Sequence, residues 1–237
     1  MSTLAVLRGI IESQMDISFT GDTTPTTTSV TDYINKSILK IARDIKPQEF
    51  KNATPIDHSI TSGTNTVTLN ASILYPEIIY YFSSTGTGRQ LIHRSLQQLI
   101  VLEGSNNFFN SANKGDPSYF AIRGNSIITN KYFTHTSSTG IKIYSIDVPT
   151  TLASDSDTTT LPDSYDFLIA YMASALAYQA IDDQDNQMKF DILARRERNE
   201  INVDLDFNDS DIIQMDPSVF RVSGRDFRDP SVLFGGN

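Results

Sequence analysis

Between Phe167 and Ile181 fifteen residues pass without a charge, inside the stretch LPDSYDFLIAYMASALAYQAIDD (161–183), and nothing else in the chain limits its fold so strongly. At about 100° per residue, Ala170, Ala173, Ser174, Ala177 and Ala180 form a stripe of small side chains. Phe167, Tyr171 and Tyr178 form an aromatic stripe beside it, and Leu168, Met172, Leu176, Tyr165 and Ile169 fill much of the rest. A helix that is apolar almost all round must be covered on several sides. A bilayer does not supply that cover, because a span needs roughly 20 apolar residues. Asp166, Asp182 and Asp183 also bound the run without flanking Lys or Arg. Two burials remain: the core of a helical bundle, or a core helix that also meets a neighbouring subunit. In the second, Phe167, Ala170, Tyr171, Ala173, Ser174, Ala177 and Tyr178 form the contact. The small residues let a neighbour approach closely, and the tyrosines place hydroxyls at a wet edge.

The flanks supply partners for such a helix. Leu4, Leu7, Ile11 and Met15 recur at helical spacing and predict a first helix over 3–17. After the Gly, Pro and Thr of SFTGDTTPTTTS (18–29), Ser29-x-x-Asp32 can open a second helix, since a Ser hydroxyl satisfies an orphan N–H there. Ile34, Ile38, Ile41 and Ile45 mark its face, and it ends before Pro47. Residues 48–150 read differently: TNTVTLN, EIIYYFSS, SYFAIRG, NSIITNKYF and GIKIYSIDV alternate with Gly, Asn, Ser and Pro clusters, as in an antiparallel β module. RSLQQLIVLEGS (94–105) can form one short helix within it, and TTLASDSDTTT (150–160) is a polar linker. A fourth, polar helix covers 186–204, with Phe190, Leu193, Ala194 and Ile201 on its apolar side. From Asp204 periodicity ends.

Composition removes whole classes of chemistry. A net charge of −9 with no Lys/Arg run argues against sequence-specific nucleic-acid binding. Without cysteines there is no disulfide and no thiolate site. His58, His93 and His135 lack any ligand spacing, and STGTGRQ (84–90) lacks the Lys of a phosphate loop and reads as a hairpin turn. DDQDNQ (182–187) is acidic like a calcium loop but has no Gly, and its twelfth position from Asp182 is Leu193. Carboxylate pairs such as Asp163/Asp166 and Asp155/Asp157 are unremarkable in so acidic a chain. The expectation is a protein without catalytic activity, cofactor or metal.

The order of these parts resembles the head-to-tail connector (adaptor) proteins of tailed bacteriophages. That family joins N-terminal helices to a β-rich insertion carrying a G-x-P-x-x-Y/F-x-I-x-G hairpin. A D-T-T-x-L-P linker, a long Ala/Tyr-rich helix, a second helix and a C-terminal tail follow. Here the hairpin motif is Gly115-Asp116-Pro117-Ser118-Tyr119-Phe120-Ala121-Ile122-Arg123-Gly124, and the linker is Asp157-Thr158-Thr159-Thr160-Leu161-Pro162. The likeness covers most of 1–203. In the motif Gly115 and Pro117 punctuate the entry, Tyr119 and Ala121 alternate with Phe120 and Ile122 on opposite faces, and Gly124-Asn125 turns tightly. The family often continues into a Pro-rich strand, whereas TNKYFTHTSSTG follows here.

The expected fold is therefore α+β: a helical bundle of N- and C-terminal helices (1–46 and 161–203), an inserted antiparallel β-rich module with its linker (47–160), and an extended C-terminal tail (204–237). The resemblance implies a ring of twelve subunits beneath the portal, in the neck of the virion after assembly in the host cytoplasm. It also implies a downstream tail or neck protein as partner, genomic DNA passing through the lumen without specific binding, and no membrane. The tail has no core of its own. Phe220, Phe227, Leu233 and Phe234 are its expected anchors on the portal, with Arg221, Arg225 and Arg228 pairing with portal acids. The competing expectation is another neck or tail component, a stopper or a fibre-associated β binding module with an exposed aromatic platform.

Overall fold

The computed structural model describes residues 1–19 and 25–212, with side chains described to residue 202. In chain order the elements are α1 (Leu4–Met15), α2 (Thr27–Asp44), β1 (Ile56–Ile60), β2 (Thr66–Thr68), β3 (Ile73–Phe82), β4 (Gly88–Gln90) and β5 (Ile92–His93). They continue with α3 (Leu96–Glu103), α4 (Ser105–Phe108), β6 (Tyr119–Arg123), β7 (Ser126–Thr129), β8 (Ser137–Asp147), α5 (Asp166–Ala180) and α6 (Gln184–Ile212). The chain divides into two units, Met1–Ala194 and Arg195–Asn237, with α6 starting in the first and ending in the second.

In the first unit α1 and α2 both pack on α5. The buried residues of α1 are Leu4, Leu7, Ile11 and Met15, the stripe read from the sequence. Those of α2 include Val30, Ile34, Ile38 and Ile41. Its start differs from the expected Ser29, because Thr26 offers the same capping chemistry one turn earlier and accepts from the Ser29 N–H at 3.2 Å. On α5, Leu168, Ile169, Ala170, Ala173, Ser174, Ala175, Ala177 and Tyr178 are all buried, as a helix without a polar face requires.

The β module is two four-stranded sheets, ordered β1-β8-β3-β4 and β2-β7-β6-β5. One core joins both, including Ile60, Val67, Ile79, Tyr81, Phe120, Ile127, Phe133, Ile141 and Ile143. The module is antiparallel as expected apart from one pair: β5 runs parallel to β6, pairing Ile92 with Tyr119. A parallel pair needs a long crossover, and α3 and α4 lie in that connection. They stand where one helix was expected, because Gly104 takes φ 76° and ends α3. The β3–β4 pairing of Phe82 with Gly88 makes 83–87 the hairpin turn read from STGTGRQ. Between β1 and β8 the register shifts after His58, next to Gly140, where a Cβ would lie 2.3 Å from Ile60 Cγ1.

The linker to α5 is ordered by its acids. Asp157 accepts from the Ala153 and Ser154 N–H groups, each at 2.8 Å, which hold its carboxyl below the usual range. Its main-chain carbonyl takes the Leu4 N–H at 2.8 Å, closing the exposed start of α1. On the other side Asn35 of α2 both donates to the Leu152 carbonyl and accepts from the Leu152 N–H, at 2.9 Å each. Arg8 pairs with Asp155. At the C-terminal end, α6 runs from Gln184 to Ile212, past the expected 186–204. Loss of amphipathic period was a poor stop signal, since no Gly or Pro occurs between Gln184 and Asp216.

Candidate functional site

The structure separates the residues of the long apolar stretch into two sets. Ala170, Ala173, Ser174 and Ala177 lie inside the protomer, at 0–1% exposure, on a helix packed by α1 and α2. Ser174 reaches Gln14 of α1, donating to its Oε1 at 3.3 Å. The aromatic stripe instead continues onto α6. Phe190 stacks on Tyr178 with ring centroids 5.5 Å apart, and Tyr171 lies 6.1 Å from Phe190 and 6.2 Å from Phe167. This ladder runs from buried Tyr178 to Phe167, which is 52% exposed. On α6, Met188 and Ile192 are 65% and 59% exposed, one turn apart on the same side of the helix. Sequence reading assigned the apolar side of this helix to Phe190, Leu193, Ala194 and Ile201 and missed the second row; the spacing of Met188 and Ile192 was its only signal.

The hairpin motif ties the β module together. Asp116 accepts from the Tyr81 hydroxyl at 2.9 Å, and burial together with that carboxylate pushes Tyr81 up to about 12. Ser118 accepts from Arg89 at 3.0 Å, and its carbonyl takes the Ile92 N–H at 2.9 Å. Asn130, just past the end of β7, spans the motif: its Oδ1 accepts from the Ser118 and Tyr119 N–H groups at 3.0 Å, while its Nδ2 donates to Glu103 of α3 at 2.6 Å. Burial pushes Glu103 up, but the Asn130 and Asn113 amides and Lys131 outweigh it and hold the carboxyl below the ordinary range. Gly115 donates to the Tyr132 carbonyl at 3.0 Å, an added Cβ there would lie 3.0 Å from the flexible Lys131 side chain, and Pro117 is buried. Phe120 and Ile122 point to the inter-sheet core; Tyr119 and Ala121 meet Leu99 and Phe108 beneath the short helices, as the alternation required. Gly124 has φ 58° at the first position of the two-residue turn.

Other surfaces are less closed. A groove of about 560 Å³ runs past Arg94, Gln98, Val101, Leu102 and Tyr119. On β3 and β8, Tyr80 and Tyr144 meet edge to face at 75°, and Lys46 sits 4.0 Å over the Tyr75 ring, so these aromatics do not form a flat open platform. DDQDNQ covers the end of the turn between α5 and α6 and the first turn of α6, where Asp183 caps the helix by accepting from the Asn186 N–H at 3.1 Å. Among the described residues no cluster of three or more metal-ligating side chains occurs. Nor is any helix among them long and apolar enough to cross a membrane. The tail residues Phe220, Arg221, Arg225, Phe227, Arg228, Leu233 and Phe234 lie outside the described residues.

A family model described as SU10 adaptor protein matches residues 5–214. The chain belongs to the SU10 adaptor protein family. The match takes in the helices, the whole β module and the linker of this adaptor, and it ends before Phe220. No curated protein matches the chain.

Proposed function

We propose that this adaptor is a non-enzymatic head-to-tail connector: a ring of twelve copies beneath the portal that extends the DNA channel and joins capsid to tail. The observation that carries the reading is the family match over 5–214, which spans both halves of the discontinuous helical part and everything inserted between them. Its net charge of −9 suits a lumen through which DNA slides without sticking. The small residues of α5 are already covered within the protomer. The neighbour-facing contact therefore falls to the exposed apolar side chains Phe167, Met188 and Ile192, with half-buried Tyr171 beside them. The C-terminal residues dock on the portal through Phe220, Phe227, Leu233 and Phe234, with Arg221, Arg225 and Arg228 at portal carboxylates. A tail or neck protein binds below.

Negative-stain microscopy of the protein mixed with its portal tests this directly. Rings of about twelve subunits on the portal are expected, and a chain truncated after Ile212 keeps its fold but loses the portal. Monodisperse monomers that leave the portal bare would overturn the reading. Normal portal binding by the truncated chain would overturn the assignment of the tail.

A further inference from the structure

We infer that the C-terminal residues hold two copies of one recognition element, Asp216-Pro217-Ser218-Val219-Phe220 and Asp229-Pro230-Ser231-Val232-Leu233, and that these engage two equivalent sites repeated around the portal ring. The inference rests on the reading that this segment docks on the portal, and adds how many contacts it makes and of what kind. Asp-Pro-Ser takes up three of the chain's nine prolines, and each time a β-prone Tyr or Val follows and then a large apolar residue. Nine prolines scattered by chance would rarely give this five-residue pattern even once, so three point to a reused element. The first C-terminal copy matches further: 216–224 and 116–124 both read D-P-S-x-F-x-[I/V]-x-G.

The copy in the β module shows what reads the element, because all five of its residues are engaged. Asp116 accepts from the Tyr81 hydroxyl at 2.9 Å, and Pro117 is buried. Ser118 donates its N–H to Asn130 Oδ1 at 3.0 Å, and its carbonyl accepts from the Ile92 N–H at 2.9 Å. Tyr119 packs on the Leu99 and Phe108 cluster, and Phe120 is 4% exposed in the inter-sheet core. The element thus offers a carboxylate to a hydroxyl, a proline to an apolar slot, main-chain groups to an open strand and a large side chain to a pocket. Among the described residues the site of this kind is filled by 116–120 themselves, so the two further copies call for such sites on a partner. A ring of identical subunits repeats one site at every step. The two copies start thirteen residues apart, a reach of up to about 43 Å when extended, so one chain can hold two sites at once. The second contact is then intramolecular and raises affinity without new chemistry.

Binding of the labelled full chain to assembled portal rings, at low occupancy, tests this. P217A/F220D and P230A/L233D, each with the wild-type circular dichroism spectrum, are both expected to lose at least tenfold in affinity. The two pairs combined bind as weakly as a chain truncated after Ile212. L233F, which makes the second element identical to the first, binds as the wild-type chain does. Insertion of about twelve Gly and Ser residues after Gly224 costs less than about tenfold, because effective concentration falls slowly with linker length. Wild-type affinity for either pair variant, a tenfold loss with L233F, or an insertion as damaging as truncation would each overturn the inference. Normal binding by the truncated chain would remove the docking reading itself, and the inference with it.

Discussion

Asn130 carries more of the β module than its residue type suggested. One side chain receives two main-chain N–H groups of the hairpin motif and donates to Glu103, so its loss orphans a carboxylate and two donors at once. Asn130→Ala is expected to cost about 2–3 kcal/mol in urea unfolding, and a cost below about 0.5 kcal/mol would show that water replaces it. His58 makes the second residue-level case. It is buried, and its Nε2 has no partner. Burial pushes the imidazole below 6.5, against smaller opposing contributions from the Thr68 backbone and Asp57. A folded-state pKa below the unfolded value means that the unfolded chain takes up the proton first. His58 therefore favours the folded state above pH 6.5, and that contribution is lost as pH falls from there through the folded-state pKa. Stability is expected to drop between pH 7 and 5 by at most about 1.4 kcal/mol per pH unit, and His58→Asn flattens that slope. An unchanged slope in the variant would place the titration elsewhere.

Elements meet here through close approaches that a pattern of apolar residues does not encode. Gly140 sits where β1 and β8 lose register, and an added Cβ would strike the fully buried Ile60. Gly140→Ala is expected to destabilise the sandwich by about 1–3 kcal/mol, read from the thermal midpoint; a neutral result would mean that the bulge relaxes. The same lesson applies to α5. Its small stripe has the composition of a helix crossing between subunits, yet α1 and α2 of the same chain use it. Ala173→Leu would overpack that seam at about 1–3 kcal/mol, measured on the isolated protomer, where a purely intersubunit role predicts no loss.

For the assembled molecule, the exposed apolar side chains of α5 and α6 make a separate prediction. Met188→Glu with Ile192→Glu adds two charges to an exposed face, so the circular dichroism spectrum and melting curve are expected to hold within about 0.5 kcal/mol. Self-association at a shared apolar contact is expected to weaken at least tenfold, read by sedimentation. Undiminished association would move the subunit contact off this face.

Helices α1, α2 and α5 were legible from the chain because 3.6-residue periodicity, a cap and a closing Pro or polar turn are local properties. The turn geometries at Gly124 and at 83–87 were legible for the same reason, since two or three residues settle them. The hairpin motif's alternation was readable too, because strand faces follow from parity alone. Four features were not. The parallel β5–β6 pair and the crossover that makes it are non-local, and a two-residue strand such as Ile92–His93 has no pattern of its own. The extension of α6 to Ile212 escaped notice because the apolar residues past Asp204 no longer recur at helical spacing. The roles of Asn130, Asp116 and Asp157 depend on hydrogen-bond partners far along the chain, Glu103, Tyr81 and Leu4 respectively. Finally, which apolar side chains of α5 and α6 remain uncovered is a question of competition for one surface. That follows from where α1 and α2 pack, and no single stretch of sequence contains it.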